Sequence, residues 1–292
     1  YEIGSGLVGS EMCIRDSSSV SGTLTALQEQ GYEIDLVDIK RDGTIDLDHL
    51  KELLRPDTIV VAVTMVDSEL GVVQPVQEIA EILKEYPHCH LHVDATQAVG
   101  KIPVSFEGVD TMSLTAHKFY GLNGIGLLLK RRNLALEPLI HGGESTTIYR
   151  SGTPTVALAS SLALALELAV EQLPEHAEAV QKANAFLRTE LAKYPKVRIN
   201  SPENAIPHIL NLSVQDVKGT VFQRELNEEG VCVSVKSACS SDGLPSRAVF
   251  AVSRDRRNAL SSWRVSLSHR TTEEDLRLSL IHISEPTRPE PI

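Results

Sequence analysis

Nine consecutive residues, Thr58 to Val66, carry no charge and are mostly β-branched. Such a run suits a strand of a parallel sheet with both faces covered, because a strand with one wet face would alternate apolar and polar residues. The flanking sequence supplies the covering layers. A helical stretch runs from Ser18 to Gly31, a short strand from Glu33 to Val37, and a helix from Leu47 to Leu54 after the Asp42-Gly43 turn. Pro75 opens a further helix, with Ile79, Ile82 and Leu83 at helical spacing. Strands are predicted at His90 to Val93, Thr111 to Leu114 and Gly126 to Leu129. Helices alternating with buried strands predict an α/β fold whose sheet is mostly parallel. After Pro154 come a long helix, a second from Glu175 to Tyr194, a strand at Ile209 to Val214, a helix at Gly219 to Glu228, and strands at Val231 to Val235 and Trp263 to Leu267. That second half predicts a smaller α+β domain. The expected division is residues 18–173 for the large domain and 174–277 for the small one.

Several function classes are excluded early. The formal charge of −11 argues against a nucleic-acid partner, because such binding needs clustered Lys and Arg to displace counterions. The most apolar stretch, Thr155 to Leu173, contains Glu167 and Glu171, so a packed helix is expected rather than a membrane span. Four cysteines without paired spacing, and no secretory leader, point to a reducing compartment, with the cytoplasm as the expected location.

The two ends read differently from the rest. Residues 278–288 can be encoded by DNA resembling a transposon-end adaptor used in sequencing libraries. The reverse complement of that DNA, in another frame, encodes residues 7–17. About residues 1–17 and 278–292 are therefore expected to be adaptor-like scars, to pack poorly, and to carry no function, Cys13 included.

The chemistry concentrates in the middle. His92-Val93-Asp94-Ala95-Thr96-Gln97 ends a strand with a carboxylate, where open α/β sheets place ligand-binding groups. Thr115-Ala116-His117-Lys118 follows the next strand. A lysine and a carboxylate at neighbouring strand ends suit pyridoxal phosphate: the amine bonds to its aldehyde and the carboxylate keeps its ring nitrogen protonated. Either residue alone could be a helix cap or a solvated charge. His88, Cys89, His90 and His92 invite a metal reading, but alternation puts His90 and His92 on the face of Asp94 and Cys89 on the other, so no metal is expected. The glycines of Gly121 to Gly126 precede a strand instead of opening a helix, which makes a turn the better reading than a phosphate cradle.

Four motifs in order, HVDATQAVGKIP, AHKFYG, RSGTP and SACSS, resemble the cysteine desulfurases of aminotransferase class V, and the resemblance extends over nearly all of Ser18 to Arg277. It implies a pyridoxal-phosphate fold of type I and the conversion of L-cysteine to L-alanine with sulfur left on an enzyme cysteine. By the same resemblance Lys118 is the lysine that holds the cofactor, Asp94 the ring-nitrogen partner and Gln97 a donor to the phenolic oxygen. Thr115 and His117 would bind phosphate, His117 would also take part in catalysis, and Ser68 would reach toward the cofactor oxygen. Arg264 would grip the substrate carboxylate by two hydrogen bonds. Thr153 would reach the phosphate of a neighbouring subunit, implying a homodimer. Cys239, in a small polar segment, would be the sulfur-accepting thiol, whereas Cys232 on the apolar alternation of Val231 to Val235 is expected to be buried and inert. A sulfur-acceptor protein, either an iron–sulfur scaffold or a tRNA-thiolating enzyme, is the implied partner.

Departures from the family pattern fall at Asp67-Ser68-Glu69, at Gly143-Glu144-Ser145-Thr146-Thr147 and at Lys236. The family's earlier phosphate loop and its last small-domain helix are expected to be missing, which puts cofactor binding by this chain in doubt. The alternatives are another class V enzyme, such as a transaminase or selenocysteine lyase, or a non-catalytic persulfide carrier or assembly scaffold.

Overall fold

The β-branched run forms the third strand of a six-stranded sheet in the computed structural model, which describes residues 6–10, 18–138, 140–143, 147–235 and 244–284. The strands are β1 (Gly6–Ser10), β2 (Glu33–Val37), β3 (Thr58–Thr64), β4 (His90–Asp94), β5 (Thr111–Thr115) and β6 (Gly126–Lys130), in the spatial order β2-β1-β3-β4-β5-β6. All pairings are parallel except β5 with β6. Around the sheet lie α1 (Ser18–Glu29), α2 (Leu47–Leu53), α3 (Val76–Leu83) and α4 (Val156–Glu171).

Strand alternation decides what meets the core. On β4, Leu91 and Val93 are buried while His90, His92 and Asp94 are half-buried, and β5 repeats the pattern with Met112 and Leu114. Val61 and Val63 of β3 join the same core, which α3 closes with Val76, Ile79, Ala80 and Leu83. The other face is also covered, since Val60 packs beside Leu24, Leu27, Ile34 and Leu36.

A second layer begins at a sharp bend. α5 (Leu173–Leu191) leaves α4 at 66° around Gln172, and neither helix alone is long and apolar enough to cross a membrane. Buried residues of α4 belong to the first core, and those of α5 to a second one. This second core holds the three-stranded antiparallel sheet of β7 (Val197–Ile199), β8 (Ile209–Val214) and β9 (Ser262–Ser266), with α6 (Gly219–Glu228) against it. Short helices α7 (Arg247–Ser253) and α8 (Arg256–Leu260) help form a third cluster, where Ala248, Val249 and Ala259 pack on Leu70 and Val72 of the first half.

Two expectations are corrected. Val231 to Val235 is not a strand but an extended segment joined to β9 by one bridge, Ser234 to Arg264. Residues from 278 onward do not all pack poorly: α9 (Glu273–Ser284) buries Leu280 and Ile283, because they continue the helix face begun by Leu276. Residues 6–10 likewise run as β1 between β2 and β3.

Candidate active site

The candidate residues gather at the carboxyl ends of β4 and β5. Asp94 lies opposite Ser113 in the parallel register. Its main chain is tied to the end of the neighbouring β3 by Met65 N–H donating to its carbonyl at 2.8 Å, and Thr96 N–H donates to Oδ1 at 2.9 Å. Oδ2 has no hydrogen bond among the described residues.

The chain then coils tightly. Ala98 and Val99 N–H groups both donate to Ala95 O, Ile102 N–H donates to Ala98 O, and Ala95 and Ala98 are fully buried. Gly100 closes the coil at φ +74°, and a Cβ there would sit 3.0 Å from Phe119 Cβ and 3.2 Å from Ala169 Cβ. That approach needs glycine on both counts. It sets Gln97 and Lys101, four residues apart, beside the turn that follows β5. Lys101 Nζ donates to Gln97 Oε1 at 2.9 Å and to Gln97 O at 3.1 Å. Burial pushes the Lys101 amine down to about 8, and the positive charges of Lys118 and Arg264 press it the same way.

From β5 the chain enters a single 3-10 turn, Ala116–Phe119, ended by Tyr120 at φ +67°. Thr115 Oγ1 donates to Ile125 O at 3.2 Å and lies 3.1 Å from His117 Nδ1. His117 and Lys118 are exposed, facing away from the core that Ala116 and Phe119 fill.

Arg264 comes to the same place from the second domain. Its Nη1 donates to Ser68 O at 2.6 Å, while its Nε is buried with no hydrogen-bond partner among the described residues. Burial lowers the guanidinium's proton affinity, and the nearby carboxylates of Glu69 and Asp67 oppose that effect. Burial in turn raises the Asp67 carboxyl, although the amides of Leu70 and Glu69 and the charge of Arg264 pull it back. Glu69 Oε2 accepts from Ser246 Oγ at 2.5 Å. Arg264 thus meets Ser68 through the Ser68 main chain.

The remaining expectations divide. Thr153 is exposed before α4, and no hydrogen bond joins it to the other candidates among the described residues. Cys239 lies outside the described residues, as do Glu144, Ser145, Thr146 and Lys236. Cys232 is exposed, contrary to expectation: Val231, Val233 and Val235 face the second core, so the residue between them faces out. The buried thiol is Cys89, which burial raises to about 11, with the charge of Asp110 adding to the effect. His92 Nδ1 is 2.8 Å from Thr111 Oγ1. Two features escaped the sequence reading. Lys101 looks like a surface charge in one dimension, with only its i, i+4 spacing to Gln97 as a signal. The carboxylates flanking Arg264 are far from it in sequence.

An aminotransferase class-V family model matches residues 16–278, and the chain belongs to that family. It is 38% identical over 259 residues to a cysteine desulfurase IscS of Dictyoglomus turgidum, covering 87% of this chain and 66% of that protein. It is 36% identical over 270 residues to the IscS of Mannheimia succiniciproducens, covering 90% and 66%. The chain therefore spans just under two thirds of the length of these curated relatives. Among solved structures, a NifS-like protein superposes with a TM-score of 0.89 at 31% identity, covering 98% of this chain and 75% of that one. A structure titled SspA in complex with cysteine gives 0.76 at 28%, covering 91% and 74%. The fold is that of the type I pyridoxal-phosphate enzymes, and the family's cofactor is pyridoxal phosphate. The residues present suit that anionic group. Lys101 feels the positive charges of Lys118 and Arg264, and Arg264 keeps a buried donor unpaired among the described residues.

Proposed function

We propose that this chain is the greater part of a pyridoxal-phosphate-dependent cysteine desulfurase, which takes sulfur from L-cysteine onto Cys239 and releases L-alanine. The observation that carries the reading is the meeting of Lys118, Lys101 and Arg264 beside the strand end that bears Asp94. Similarity to IscS proteins supports the same activity.

In this reading Asp94, Gln97, Thr115, His117, Ser68 and Lys118 hold the cofactor. Bound pyridoxal phosphate would supply the electron sink for bond breaking at the substrate α-carbon. Arg264 is turned into the cleft by Asp67 and Glu69 and grips the carboxylate of L-cysteine, which fixes the Cα–H bond toward Lys118. Lys118 Nζ takes the α-proton, with His117 assisting its movement. The Cys239 thiolate attacks the substrate sulfur, and the carbon–sulfur bond breaks with its electron pair left on the β-carbon, which takes a proton to become the methyl group of alanine while a persulfide remains on Cys239. The sulfur then passes to an acceptor protein of iron–sulfur assembly or tRNA thiolation.

A homodimer fits an apolar α4 that buries only Leu162 and Ala169 and leaves Val156, Leu164 and Val170 more than half exposed. Thr153, directly before that helix, would then serve the partner's phosphate. A cytoplasmic location fits the reduced cysteines the chemistry requires.

The test uses the chain extended to the length of its relatives. Cys239→Ala should keep cofactor binding and the spectral change on adding L-cysteine, yet lose nearly all alanine and sulfide. Lys118→Ala should lose the covalent link to the cofactor. Alanine release at the parent rate from Cys239→Ala would replace this reading with a lyase that frees sulfur without a protein nucleophile.

A further inference from the structure

A half-buried ammonium group that the reaction does not use needs an explanation. Lys101 has three donors and no acceptor, and desolvating its charge is costly unless oxygen atoms surround it. Here two oxygens do, both from Gln97: the main-chain carbonyl at 3.1 Å and the side-chain Oε1 at 2.9 Å. The second contact has a directional consequence. A primary amide carries its acceptor and its donors on opposite arms, so an amide that must present oxygen to an ammonium must turn its nitrogen the other way. Gln97 Nε2 makes no hydrogen bond among the described residues and so remains available to a ligand.

Without Lys101 the terminal amide could flip, because the two orientations have nearly the same shape. Half of those states would offer an oxygen lone pair to whatever lies in the cleft. An oxygen facing a cofactor's phenolic oxygen would repel it.

We propose that Lys101 is a positioning residue: it locks the Gln97 amide in the single orientation that leaves Nε2 as a donor to the phenolic oxygen of pyridoxal phosphate. This rests on the reading of Gln97 as that donor. The turn supports the lock, since Gly100 presses against Phe119 and Ala169 and holds the coil that brings positions 97 and 101 together. Lys101 also stays cationic or nearly so at neutral pH, because its amine is pushed down only to about 8.

Two measurements separate the lock from the reading on which it rests. The first needs no cofactor: ¹⁵N relaxation of the Gln97 side-chain amide in the chain alone, assigned by its loss in Gln97→Leu. The amide should be rigid in the parent and in Lys101→Arg, which retains donors on a long stem, and mobile in Lys101→Met. A mobile amide in the parent, or an equally rigid one in Lys101→Met, overturns the lock. The parent result alone decides if Lys101→Met does not fold.

The second follows the visible absorbance of bound pyridoxal phosphate against pH in the chain extended to its relatives' length. Losing a donor to a phenolate disfavours the deprotonated form, so the titration midpoint should rise in Gln97→Leu and rise in the same direction, by at least half as much, in Lys101→Met. A shift in Gln97→Leu but none in Lys101→Met overturns the proposal and spares Gln97. No shift in Gln97→Leu overturns the role of Gln97 itself.

Discussion

Arg264 shows how much one side chain can depend on residues far from it in sequence. Its guanidinium is buried, bonded to Ser68 O at 2.6 Å and flanked by the charges of Glu69 and Asp67. Removing the fork while keeping the charge tests its part in substrate binding. Arg264→Lys should raise KM for L-cysteine about tenfold or more, the loss of one charge-assisted hydrogen bond, with kcat changed less. Steady-state kinetics on the chain extended to its relatives' length would measure this, and an unchanged KM would remove Arg264 from substrate binding. Asp94 and Lys118 were legible in the sequence because each ends or follows a strand whose period can be read directly. Lys101 was not, since its burial comes from Gly100 drawing the coil onto Phe119, a tertiary event. Cys232 was misread for a different reason. Alternation puts Cys232 on the face of Ser234, opposite Val231, Val233 and Val235, so the three valines meet the core and the thiol faces out.

Among the elements, the sheet of the large domain was the most legible part. Its strand β3 is a run of mostly β-branched residues, β4 and β5 alternate buried apolar with half-buried positions, and α3 shows clear periodicity. The short helices α7 and α8 were missed: seven and five residues give too little period to recognise, and their starts depend on side-chain caps from Ser246 and Asp255. α9 is the element whose standing matters most. Leu276, Leu280 and Ile283 are 5%, 8% and 1% exposed in the second core, beside Leu187 and Leu191 of α5. If that packing contributes to folding, Leu280→Ala and Ile283→Ala should each lower the unfolding free energy by about 2–5 kcal/mol, the usual cost of truncating a buried aliphatic side chain. Urea denaturation would read this out. Changes below about 0.5 kcal/mol, the range of surface substitutions, would instead make residues 278–284 an unselected extension.

At the scale of the whole molecule, the contact between the two halves carries both a pH response and an unfinished surface. His208, just before β8, is buried, and burial pushes its pKa down to about 4, with Lys101, His269 and His176 adding positive charge around it. The unfolded chain, titrating near 6.5, binds the proton more readily, so stability is full above that value and is lost as pH falls from about 6.5 toward about 4. His208→Gln should flatten this part of the pH profile of the urea midpoint, and an unchanged profile would assign the acid sensitivity to other groups. The surface question concerns α4. A helix apolar around most of its circumference normally lies inside a protein. This one exposes 71% of Val156, 57% of Leu164 and 63% of Val170. Two occupants could cover it: a second copy of the chain, or part of the sequence by which the relatives exceed this chain in length. A second copy is favoured because Thr153, exposed three residues before the helix, makes no hydrogen bond to the other candidates among the described residues, as a residue serving a neighbour's site would. Sedimentation equilibrium of the chain extended to its relatives' length should therefore give a dimer at micromolar concentration, and Leu164→Glu combined with Val170→Glu should shift it toward monomer by burying two charges in an apolar contact. The same double substitution should leave the unfolding free energy of the monomer, read from urea denaturation, within about 0.5 kcal/mol, since both positions are exposed there. A monomeric parent whose α4 is protected from hydrogen exchange would show that the helix is covered by the chain's own additional sequence.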